Sequence, residues 1–324
     1  MKNFKSFLSA QLDEYLTYRK TLGYATKSSR SHLLTFDRYL IETQVDWNSL
    51  QPLFFLEMRA NLKMESSGIN KILSAVRFFF QFLVRREYVA ENPLQDIPSL
   101  KEDTIVAFVF SPEQVDQLLG AVCKGIRRRE GFFLTDYGVF TAALLMARCG
   151  LRISEPLRLL GHHYRKDDGT IYIEKTKFRK DRLIPVPKAV MTEIENYLSV
   201  RKTLCTDDKN PYLLAGKDHR PLSEHHLRST FHHAVKDIGL EQPRRLIGNM
   251  IFNPPTPHSL RHSFAINTLI AIRKRGESLR HALPVLAAYL GHSDYKHTTI
   301  YLRVADALSR KRLVDFALWQ RRKT

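Results

Sequence analysis

The chain has 324 residues, 44% of them apolar, with only 14 Gly and 14 Pro. This is enough to bury two cores, and the composition excludes a disordered or fibrous chain. Its three cysteines, Cys123, Cys149 and Cys205, are too few and too scattered for a disulfide framework or a Cys-x-x-Cys metal clip, so a reducing cytoplasm is expected. The excess of 51 Lys and Arg over 33 Asp and Glu, a formal charge of +18, points to a polyanionic partner, DNA or RNA. Residues 1–100 carry only +3 of that charge and residues 101–324 the remaining +15.

The longest apolar stretch, around Val76 to Val84, is interrupted by Arg77 and Gln81, so no membrane span is expected. Met1-Lys2-Asn3-Phe4-Lys5 lacks the apolar core of a signal peptide, and export is not expected.

In chain order, helical apolar spacing predicts helices from Phe7 to Leu22, Ser31 to Ile41 and Leu50 to Leu62. A fourth helix is the clearest, with Ile69, Ile72, Leu73, Val76, Phe79, Phe80 and Leu83 on one face, and Asn92-Pro93 is expected to end it. A connector follows from Pro98 to Phe110. Ser111-Pro112-Glu113-Gln114 then supplies an N-cap, a first-turn proline and a capping-box partner. Val139 to Arg148 is an apolar helix. Thr170 to Glu174 and Arg182 to Val186 form a predicted hairpin with Lys177 at its turn. Ser223 caps a helix that Gly239 ends, and a further helix runs from Leu283 to Leu290. The expected fold is therefore mainly α with a small antiparallel β-sheet.

Four separated segments carry chemistry. Gly150-Leu151-Arg152-Ile153-Ser154-Glu155 offers a guanidinium, whose planar fork matches two phosphate oxygens, with Glu155 placed on the same helical face to orient it. The hairpin, Thr176-Lys177 with Arg182-Leu183-Ile184-Pro185, offers Lys177 as a proton donor, with Lys175 and Lys180 as neighbours able to compete for that role. His258-Ser259-Leu260-Arg261-His262, entered through Pro254-Pro255-Thr256-Pro257, sets His258 and Arg261 on one face of a helix. Leu290-Gly291-His292 ends a helix, and Tyr301 follows nine residues later. A phenol of pKa ~10 attacks only if its proton is accepted or its oxyanion is stabilised by cations.

In this order and combination, the segments resemble the tyrosine recombinase/integrase family over nearly the whole chain. The resemblance implies catalytic roles for Arg152, Lys177, His258, Arg261 and His292, with Tyr301 as nucleophile and Glu155 in support. It implies a four-helix core-binding domain over residues 1–100, a linker over 101–110, and a helical catalytic domain over 111–324 with a subunit-linking C-terminal helix. The implied activity is site-specific DNA breakage and rejoining through a 3′-phosphotyrosyl intermediate, with no cofactor, metal or ATP. Such an enzyme integrates, excises or transposes a mobile element. The implied partners are duplex DNA and further recombinase subunits, as a dimer on one site and a tetramer at synapsis. A type IB topoisomerase and a non-catalytic regulator on the same fold are the alternatives.

From Arg261 to His292 the chain runs 31 residues, longer than is usual in the family, through the basic run Arg273-Lys274-Arg275-Gly276-Glu277-Ser278-Leu279-Arg280. This favours a transposon-associated branch. The pairs His162-His163, His225-His226 and His232-His233 are not read as zinc ligands, because adjacent helical residues diverge by about 100°. Instead His226, Arg228 and His233 are expected to face DNA or solvent.

Overall fold

The computed structural model describes residues 3–129, 131–174, 181–205 and 208–291, and the chain divides into two compact units at Thr104/Ile105. Both are dominated by helices, and the only sheets among the described residues are two small three-stranded ones.

The first unit holds α1 (Ser9–Thr21), α2 (Lys27–Thr43), α3 (Pro52–Asn61) and α4 (Ser66–Arg85). Its core is built on the predicted apolar face of α4, from Ile69 to Leu83, against Leu33, Phe36 and Leu40 of α2. Phe36, Phe55 and Phe80 meet edge-on or tilted, with Phe55 and Phe80 centroids 5.3 Å apart. The buried carboxylate of Asp37 accepts the Ser6 amide at 2.9 Å and the Lys5 amide at 3.0 Å, fastening the segment that leads into α1.

The α4 helix ends at Arg85, well before Asn92-Pro93. Glu87 adopts a left-handed conformation (φ +62°), which lets the Glu87 and Tyr88 amides bond back to the carbonyls of Val84 and Leu83, each at 3.0 Å. This is a Schellman closure with glutamate where glycine is usual, so the sequence carries no stop signal there. Asn92 serves the return instead, accepting the Leu94 amide and donating to the Arg77 carbonyl.

In the second unit, α5 (Pro112–Lys124) begins with the predicted capping box, Ser111 and Gln114 exchanging bonds of 3.2 and 2.9 Å. The central helix α6 (Phe133–Cys149) starts six residues earlier than expected and is buried on nearly every side. Around it pack α5, α7 (Lys188–Leu204), α8 (Glu224–Asp237) and α9 (Pro257–Lys274), and α10 (Leu279–Leu290) lies against α9. The predicted hairpin is β3 (Thr170–Ile173) with β4 (Arg182–Pro185), Ile173 opposite Arg182, and β2 (Tyr164–Arg165) extends it. The second sheet, in the order β1-β6-β5, joins β1 (Thr104–Val106) to a hairpin of β5 (Arg245–Ile247) and β6 (Met250–Phe252) that periodicity did not announce.

Among the described residues, no helix is long and apolar enough to cross a membrane.

Candidate active site

The site is assembled where two helices end and one begins. Helix α6 stops at Gly150 (φ +63°) and α10 at Gly291 (φ +64°), both left-handed, a conformation that L side chains enter only at a cost. At Gly150 a Cβ would also stand 2.5 Å from the Phe264 ring. The last carbonyls of a helix lack intrahelical partners and carry its negative dipole end, so each stop invites cationic donors.

Three arginines answer. The three consecutive carbonyls that end α10 are divided among them: Tyr289 O accepts from Arg182 Nε at 2.8 Å, Leu290 O from Arg261 Nη2, and Gly291 O from Arg152 Nη2 at 3.0 Å. Arg261 also donates to Gly150 O at 2.9 Å, tying the end of α6 to the end of α10.

All three converge on Glu155. Its Oε1 accepts Arg152 Nη1 at 2.9 Å and Arg182 Nη1 at 3.1 Å. Its Oε2 accepts Arg182 Nη2 and the Arg152 amide, each at 2.8 Å, with Arg261 Nη1 3.9 Å away. Burial alone would raise the Glu155 pKa. The Arg182 hydrogen bonds and charge, then the Arg152 amide and Arg261, reverse this and hold the carboxyl below its ordinary range. The cluster thus sets three guanidinium charges against one carboxylate, a positive well fitted to a phosphate gaining negative charge.

Arg152 and Glu155 do pair, but not along a helix as expected. Residues 153–155 form a turn that runs into a short 3-10 segment, Pro156–Arg158, and the turn brings the carboxylate back onto the Arg152 amide. Accessibility separates the two predicted phosphate arginines. Arg152 keeps 23% of its side chain exposed, whereas Arg261 keeps 1%.

Helix α9 places His258 and Arg261 one turn apart as predicted, with Pro257 at its first position and Ser259 Oγ accepting the Thr256 amide at 3.0 Å. The His258 and His262 rings meet edge-on at 4.5 Å. The pKa of His258 is pushed down to about 4, first by desolvation in the crowded wall of the site, then by Arg261 and Arg152, against a pull from Glu155. The residue still presents an open edge to solvent, so repulsion by the two arginines is the firmer cause. At neutral pH the ring is neutral, able to donate from one nitrogen and accept at the other.

Of the predicted site residues, the structure brings together Arg152, Glu155, His258 and Arg261. Lys177, with Lys175 and Lys180, and His292 and Tyr301 lie outside the described residues. Arg182 is the residue whose part in the site sequence reasoning missed. The signal was available: strand alternation puts Arg182 on the same face as buried Ile184, and an arginine turned inward requires a carboxylate.

On α8, Arg228 and His233 are exposed as expected, paired only along their own helix with Glu224 and the Ser229 carbonyl, whereas half-buried His226 turns its Nε2 to within 3.3 Å of Asp136.

Residues 109–307 match the phage integrase family. The chain is 28% identical to the tyrosine recombinase XerA of Pyrococcus furiosus over 316 residues, 96% of this chain and 97% of the relative. Identity to the tyrosine recombinase XerD of Shewanella oneidensis is also 28%, over 93% of this chain and 92% of that protein. In fold it resembles the Tn1549 transposon integrase, solved in complex with transposon right end DNA, at a TM-score of 0.64 and 16% identity over 94% of this chain and 99% of that one. The match spans more than half of the residues, and the chain belongs to the phage integrase family.

Proposed function

We propose that the protein is a tyrosine recombinase that cuts and rejoins duplex DNA at specific sites in the cytoplasm, as a dimer on one site and a tetramer when two sites meet. The observation that carries this reading is the cluster of Arg152, Arg182 and Arg261 around Glu155, locked onto the turn that immediately precedes His292.

Attack by the Tyr301 oxygen on the scissile phosphorus, its phenolic proton passing to a neighbouring base or to solvent, forms the 3′-phosphotyrosyl bond as the P–O5′ bond breaks. Lys177 supplies the proton that the departing 5′ oxygen takes, and a 5′-hydroxyl of a partner duplex reverses the sequence to reseal the strand. One phosphodiester replaces another at each step, so no ATP is consumed. Arg152 and Arg261 offset charge on the pentacoordinate transition state, with Arg152 the more open to an incoming phosphate. His258, neutral at pH 7, and His292 hydrogen-bond to the phosphate oxygens, and Glu155 holds the arginines in place.

The test is a covalent complex that survives denaturant. Wild-type protein on site-bearing DNA is expected to form it, and Tyr301→Phe to bind that DNA without forming it. An adduct persisting in Tyr301→Phe would mean that another residue attacks.

A further inference from the structure

Arg182 makes a set of contacts that an ordinary strand arginine does not need. Its side chain is 8% exposed. Three of its donors are committed inside the protein, two to the two oxygens of Glu155 and one to the Tyr289 carbonyl. Its guanidinium also forms the surface on which the turn at Gly291 rests, since a Cβ there would lie 3.1 Å from Arg182 Nη1 and 3.5 Å from Cζ.

The consequence falls on Arg152, whose fork is aimed by two anchors, Glu155 Oε1 at 2.9 Å and Gly291 O at 3.0 Å. Both anchors are held by Arg182, the first by a 3.1 Å hydrogen bond and the second by direct packing. Without Arg182, Glu155 can swing toward either remaining arginine, and the end of α10 loses both a capping donor and the surface beneath it.

We propose that Arg182 is a positioning residue of the strand-transfer reaction: it sets the orientation of the Arg152 fork through Glu155 and Gly291, without touching the DNA. This rests on the reading of Arg152 as a phosphate clamp. A misplacement of about 1 Å at a reacting centre lowers rate by about 100-fold, and that is the expected loss in covalent adduct formation for Arg182→Gln, with non-covalent DNA affinity retained. Arg182→Lys keeps a charge for Glu155 but offers neither the fork nor the flat surface, so its rate should fall between the two.

The test uses DNA in which one non-bridging oxygen of the scissile phosphate is replaced by methyl, giving a neutral methylphosphonate. This lessens the need for a correctly aimed guanidinium while leaving the leaving oxygen and its proton requirement unchanged. Adduct formation relative to wild type should recover for Arg152→Ala and for both Arg182 variants, but not for Lys177→Ala. Thermal unfolding of each variant shows that the fold is present, and Arg182→Lys carries the test if Arg182→Gln does not fold. Recovery of Arg152→Ala without recovery of a folded Arg182 variant would overturn the proposal and leave Arg182 a structural ion pair, as would a wild-type rate in Arg182→Lys. Absence of any rate defect in Arg152→Ala on ordinary DNA would instead remove the clamp reading itself.

Discussion

Arg152 Nη2 reaches the carbonyl of Gly291 at 3.0 Å across 139 residues of chain. One bond therefore joins the arginine most open to a phosphate with the residue just before His292. Fixing both in one frame is the kind of pre-organisation from which phosphoryl-transfer sites derive most of their rate.

Glu155 is the common anchor, and its removal should be felt in stability as well as rate. Glu155→Gln keeps the shape but leaves Arg182 and Arg261 buried with their shared negative charge gone. Loss of one partner from a buried ion cluster costs about 3 kcal/mol or more. Denaturant unfolding of the purified variant should show a loss of that order in the second unit. The pH dependence follows from the lowered pKa: Glu155 adds stability above its unfolded pKa of about 4.3, and this is lost as pH falls through the lower folded value. In Glu155→Gln that acid-side loss should shrink.

For His258 the expected quantity is a titration midpoint. Followed by NMR on labelled protein, the ring should stay neutral until the pH falls toward about 4. Folding is then opposed by protonation between the unfolded pKa near 6.5 and the folded one, so this residue contributes stability above about pH 6.5 that is lost on acidification. Arg152→Ala removes one repelling charge and should move the midpoint up. A midpoint unmoved by that substitution would leave desolvation and Arg261 as the causes.

Much of this was legible in the sequence, and particular residues show where legibility stopped. The α4 stripe and the Ser111 cap were read correctly because they are local, set by spacing along one element. Pairing of Arg152 with Glu155 was also readable, although the turn that achieves it was not, since a three-residue separation suits a helix and a turn alike. Arg182 was overlooked because its partners lie 27 and 107 residues away in sequence. The end of α4 escaped notice because Glu87 takes a backbone shape that glycine usually announces.

Leaving-group protonation separates Lys177 from its neighbours. On DNA with a 5′-bridging sulfur, whose thiolate departs without a proton, cleavage by Lys177→Ala should recover, while Arg261→Ala should gain much less. If Lys175→Ala or Lys180→Ala recovers instead, the acid is reassigned to that position.

The segment after Tyr301 lies outside the described residues, and its sequence alone carries the expectation. Ala307, Leu308, Leu313, Val314, Ala317 and Leu318 fall in two apolar groups around Arg310-Lys311-Arg312, an amphipathic pattern that needs a surface to cover it. Ending the chain after Asp306 should spare binding to a single DNA site but abolish two-site complexes in a gel-shift assay, and recombination with them. Wild-type synapsis by the shortened chain would show that the segment does not connect subunits.

The arginine comb on Tyr289, Leu290 and Gly291 also dictates where this chain tolerates changes of length. Each residue added inside α10 near its end would rotate the terminal carbonyls by about 100° and slide them about 1.5 Å, breaking all three arginine–carbonyl bonds at once. Residues added upstream, where α9 gives way to α10 at positions 275–278, leave that terminal register intact. The basic residues that end α9, Arg273 and Lys274, and the turn after them lie on that side. Insertions and deletions in related chains should therefore gather between α9 and α10 and avoid the last turn before the glycine.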